Sequence, residues 1–143
     1  MSSYNLPVLA TVVLLLPMIY FGIASLTFFL RTFDDPMVTW MLRGLIGISF
    51  LAVSTCCVLG AMVFALYGHV GVALGTALVA GCAAVARGWL LRRMDDQFRA
   101  RETGDGEATR RLRRLHVAGI AYNTIQLVAV IAIIPVTSFV GGT

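Results

Sequence analysis

The side chains best suited to chemistry lie on one stretch near the C-terminal end of the chain. His116, Tyr122, Asn123 and Gln126 interrupt an apolar run that follows Arg110, Arg111, Arg113 and Arg114 and continues to Pro135. His116, Gly119, Asn123 and Gln126 are spaced by three, four and three, so a helix sets them on one stripe. An imidazole and two carboxamides on one stripe can supply interhelical hydrogen bonds, a proton path, a ligand pocket or a metal site. Against lipid such a stripe is costly, so it is expected to face the bundle or another protein. The first expectation is structural bonding between helices, with an interaction or ligand surface as its functional counterpart.

The remaining chemistry is sparse. Cys56, Cys57 and Cys82 fall in the middle of apolar runs, with neither CxxC spacing nor other ligands beside them, and read as small packing residues. His69 lies in the short turn Gly68-His69-Val70-Gly71 and reads as a solvated turn residue. No catalytic residue and no metal ligand is expected.

These residues must be positioned by helices that cross a membrane. The 143 residues are 59% hydrophobic and 13% charged, against about 25% charged in a soluble domain. Four apolar stretches of spanning length take up nearly the whole chain, which excludes a sizeable soluble domain. The fold expected is all-α: one polytopic four-helix transmembrane domain over 1–143, an up-down bundle with helices near 7–30, 37–67, 70–91 and 112–139.

All eleven basic residues are arginines, and eight of them fall between Arg92 and Arg114. Arg31 and Arg43 flank the first charged loop, and the seven acids lie in the same two loops, 31–36 and 92–111. Positive charge marks the cytoplasmic side. Both charged loops are therefore expected inside and both termini outside, in a bacterial inner membrane. The arginines of the second loop alternate with acids, which argues against nucleic acid and leaves membrane lipids as their partner. Met1-Ser-Ser is not a charged leader, so the first run is expected as a retained helix.

Along the chain, Pro17 is expected to kink helix 1. Asp35-Pro36 is a helix-start signal. The turn at Gly68–Gly71 makes helices 2 and 3 an antiparallel hairpin. On helix 3, Ala73, Ala77 and Gly81 recur every fourth residue, as do Ala80, Ala84 and Gly88, two small-residue stripes able to receive neighbours. Trp40 and Trp89 are expected as interface anchors on one side, with Arg87 either snorkelling to that interface or pairing inside the bundle. Residues 92–109 read as a polar connector, with Met94 and Phe98 able to lie on the membrane as an amphipathic turn and a break at Gly104-Asp105-Gly106.

The run Arg92-Arg93-Met94-Asp95, then Leu112-Arg113-Arg114-Leu115-His116, then Asn123 and Gln126, resembles the C-terminal half of the DUF4149 family. These are small four-helix membrane proteins that also include the animal transmembrane protein linked to platinum-drug tolerance. The likeness covers about the last 55 residues and, more loosely, the first helix. The chain departs from the pattern at Gly119, where serine is expected. The resemblance implies an architecture and a polar cluster at His116 and Asn123, and no established reaction.

Three functions follow from this reading. The foremost is a non-catalytic accessory subunit or assembly factor of a larger membrane protein complex, or a self-associating protein. The alternative is a small-molecule or metal carrier lined by His116, Tyr122, Asn123 and Gln126. The third is a haem- or quinone-dependent membrane enzyme, disfavoured because the expected topology puts His69 and His116 on opposite sides. No cofactor is expected, although the small-residue faces leave room for a lipid, quinone or pigment.

Overall fold

The computed structural model of the chain describes the backbone over residues 5–29 and 35–140, and side chains over 9–28 and 35–132. The chain termini, and Arg31 and Asp34 of the first charged loop, lie outside the described residues. Four helices account for the described chain: α1 (Asn5–Phe29), α2 (Pro36–Leu66), α3 (Val70–Glu102) and α4 (Ala108–Val140). All four are long and apolar enough to cross a membrane.

Local sequence explains the helix ends. Asp35 precedes Pro36, whose fixed φ suits the first helical position, and the Asp35 carboxylate accepts the Met37 N–H at 2.8 Å. The α2–α3 turn needs a left-handed residue, which Gly68 supplies at φ +79°. There the His69 N–H bonds the Phe64 carbonyl at 2.9 Å, closing α2. Pro17 sits within α1, which remains one helix from Asn5 to Phe29.

Sequential helices are neighbours, and α4 closes back onto α1. The α2–α3 interface is the most extensive, and α2 only touches α4 across the centre. Each adjacent pair runs antiparallel: Ser54 lies against Ala80 and Arg43 against Asp95 across α2–α3, and Asn123 against Met18 across α1–α4. The core is one buried cluster to which every helix contributes, including Met18 and Phe21, Ile46 and Phe50, Ala83 and Leu90, and Leu112. Cys57 belongs to it, Cys56 is half-buried and Cys82 is exposed.

The expected end of helix 3 at 91 is corrected. The helix runs on to Glu102, and α4 begins at Ala108 rather than 112, so the connector shrinks to a tight turn. Nothing between Leu91 and Thr103 breaks a helix, and Leu90, Met94 and Phe98 continue an apolar stripe at four-residue spacing. That stripe is buried in the common core instead of lying on a membrane surface. The break falls at Gly104, with φ +89°. At 33 residues α3 is about 50 Å long, well beyond the roughly 30 Å of hydrocarbon. Its last eleven residues therefore extend about 16 Å past Leu91.

The first turns of α2 run beside this extension. Arg43 grips Asp95 through two parallel bonds, Nε to Oδ1 at 2.6 Å and Nη2 to Oδ2 at 2.9 Å. Trp40 stacks on Phe98 at 5.6 Å between centroids, and Arg101 donates to the Thr39 hydroxyl at 3.3 Å.

Candidate functional site

The polar stripe of α4 faces the interior. His116, Gly119, Asn123 and Gln126 are all buried, so the spacing and the packing agree on the face. The stripe does not converge on one pocket. His116 lies beside Ser25 and edge-on to Phe28, with ring centroids 6.3 Å apart. Asn123 Nδ2 donates to the Met18 carbonyl at 3.1 Å. Gln126 Nε2 turns the other way, toward the Val79 carbonyl and the Tyr122 hydroxyl, each at 3.4 Å. Tyr122 is half-buried and stacks on Phe50, with centroids 5.7 Å apart. Asn123 thus bonds α1, the His116 ring packs on α1, Gln126 bonds α3, and the phenol ring leans on α2.

Helix geometry explains the dispersal. His116 and Asn123 are seven residues apart, so they sit about 10 Å from each other along the axis. Between them lies Gly119, where Phe21, Ile46 and Leu90 close from three helices. A Cβ there would meet the nearest of these, Leu90, at 3.8 Å, an ordinary contact. Gly119→Ala is therefore expected to be neutral or to stabilise by up to about 1 kcal/mol through helix propensity. Gly119→Leu is expected to cost about 1–3 kcal/mol by overpacking. Denaturant-titrated unfolding in mixed micelles checks both, and equal effects would show that the crossing is looser than described.

Other hydroxyl and guanidinium groups close in the same manner. Ser54 Oγ donates across to the Ala80 carbonyl at 3.2 Å, while Thr76 bonds its own helix at Val72. Arg87 Nε donates to the Gly47 carbonyl at 2.9 Å, so this arginine ties α3 to α2. Trp40 and Trp89 are both exposed near the end of the bundle that carries the arginines. Ser25 belongs to this site, and nothing in the sequence pattern singles it out. It is fully buried beside His116, and its hydroxyl has no hydrogen-bond partner among the described residues.

The small-residue stripes of α3 are only partly used. Ala73 and Ala80 are buried, but Ala77, Gly81 and Ala84 are exposed and Gly88 is half-exposed. A Cβ built at Gly81 or Gly88 meets nothing within 4 Å. The face that receives neighbours is Ala73, Thr76, Ala80 and Ala83, which takes one residue from each stripe and leaves the others outside. Within this bundle each stripe therefore gives only part of itself to a helix contact. Among the described residues, no group of three or more His, Cys, Asp or Glu side chains is placed to hold a metal ion.

No protein-family model matches the chain, and neither the curated proteins nor the solved structures compared with it give a match.

Proposed function

We propose that this chain is a non-catalytic integral membrane protein that serves as an accessory subunit or assembly factor of a larger membrane complex. It resides in a bacterial inner membrane, with both termini outside and the arginine-bearing connections in the cytoplasm. The observation that carries the reading is the outer face of α3. Ala77, Gly81 and Ala84 form a smooth surface suited to a close helix partner, and no helix of this chain covers it. The α4 stripe supports the same reading, because Asn123 and Gln126 are engaged in holding the bundle together. A carrier would need those groups turned toward a shared path. The resemblance to the DUF4149 family, at Leu115-His116 and Asn123, fits the four-helix architecture and implies no activity.

The test uses native membranes solubilised in mild detergent. The chain is expected to migrate with one defined complex, and Gly81→Leu is expected to release it without unfolding it, since the Cβ position is open. A wild-type chain that migrates alone, or a Gly81→Leu chain that stays bound, overturns the proposal. The orientation has its own measurement. With a membrane-impermeant maleimide, Gly106→Cys is expected to react only in inside-out vesicles and Gly71→Cys only in intact cells. The reverse pattern would invert the assignment.

A further inference from the structure

A groove between α3 and α4 is explained by neither the helix pairing nor the polar stripe. Trp89 and Arg93 wall it from α3, and Arg111, Arg114 and Leu115 wall it from α4. It is a shallow, open hollow of about 360 Å³, and its walls are almost wholly carbon, so the arginines line it with their aliphatic stems. The groove straddles Leu91, where the apolar part of α3 gives way to the arginines of its extension, which is headgroup depth. The Arg93 guanidinium stands over the Trp89 ring, 5.8 Å from its centroid.

The charge in this groove is one-sided. No carboxylate lines it. Arg111 reaches out of it to Asp105 at 3.1 Å, and among the described residues Arg93 and Arg114 form no ion pair with a carboxylate. The hollow on the other side of Trp89 differs, because Asp96 sits there with Arg92 and Arg93.

We infer that the α3–α4 groove binds one anionic phospholipid, with its phosphate between Arg93 and Arg114 and an acyl chain along Trp89 and Leu115. Guanidinium groups pair bidentately with phosphate oxygens. An apolar slot that opens on such groups at headgroup depth matches a lipid's two-part chemistry. A zwitterionic choline lipid would bring a cation against these two arginines and fits less well. The inference goes beyond the accessory-subunit reading and stands without it.

The chain has two tryptophans, so Trp40→Phe leaves Trp89 as a reporter inside the groove and keeps an aromatic ring against Phe98. The purified full chain, in neutral detergent micelles, is titrated with phosphatidylglycerol or phosphatidylcholine carrying the same brominated acyl chains. Phosphatidylglycerol is expected to half-quench Trp89 at about tenfold lower mole fraction. Arg93→Gln with Arg114→Gln is expected to bring the two lipids to within about twofold of each other. Removing equal charge away from the groove, by Arg99→Gln with Arg110→Gln, is expected to keep most of the preference. Circular dichroism establishes that each variant remains folded. Equal quenching by the two lipids in the otherwise wild-type chain overturns the inference, and that comparison needs no arginine variant. So does an off-groove pair that abolishes the preference equally, which would make the effect a diffuse charge. Displacement of the brominated lipid by inorganic phosphate alone would assign the groove to the free anion and overturn the lipid.

Discussion

Phe21→Ala is expected to destabilise the bundle by about 2–3 kcal/mol, read as a shift in the denaturant midpoint in mixed micelles. In a water-soluble core the same change costs about 3–5 kcal/mol, part of it transfer from water and part the cavity left behind. Separated helices in a bilayer keep Phe21 in an apolar medium, so most of the transfer part is absent. The cavity part remains. Phe21 is 1% exposed, meets Phe50 edge-on at 5.7 Å and reaches toward Gly119 from α1. Removing the ring takes away contacts to α2 and α4 together, and leaves only Ile46 and Leu90 of the three side chains that close on the glycine. Ile23 is the internal control, because it is 63% exposed on the same helix. Ile23→Ala is expected to change stability by less than about 0.5 kcal/mol. Equal effects at the two positions would mean that close packing at the Gly119 crossing does not hold the helices.

The helices themselves were legible from composition and punctuation. Four apolar runs, Asp35-Pro36 and the Gly68–Gly71 turn place α2 and the start of α3 to within a residue or two. The inward face of α4 was legible too, because polar side chains at helical spacing have few places to go in lipid. What the spacing could not supply was the other half of each bond. The acceptors are main-chain carbonyls of Met18, Val79 and Gly47, which every residue type carries. Ser25 was hidden for a related reason, since one small residue on an apolar helix has no periodicity of its own. Charge density is a poor guide to the end of α3. Arginines and acids tolerate a helix well, and the stripe of Leu90, Met94 and Phe98 beneath them was the better guide. The small-residue stripes named the right helix, but not which side of it this chain would cover.

Asn123→Asp is expected to be among the most damaging single substitutions, costing about 2.5–3.5 kcal/mol, the penalty for a carboxylate at mid-membrane depth. The two side chains have nearly the same shape, so packing is preserved and electrostatics alone is probed. Asn123 donates Nδ2 to the Met18 carbonyl at 3.1 Å, 5% exposed between α1 and α4. A carboxylate has no hydrogen to give and would set its charge against that carbonyl oxygen. Arg87, the arginine in the apolar part of α3, already donates to Gly47 on another interface. Asn123→Leu is the comparison, since it removes the bond without introducing charge. Interhelical hydrogen bonds in membranes average about 0.6 kcal/mol and reach about 1.7 kcal/mol, so this change is expected to stay in that range. The contrast bears on function as well as on stability. A residue lining a hydrated path would accept a carboxylate easily and suffer from leucine. If Asn123→Asp proves no worse than Asn123→Leu, water reaches the stripe, and the carrier reading replaces the accessory-subunit one.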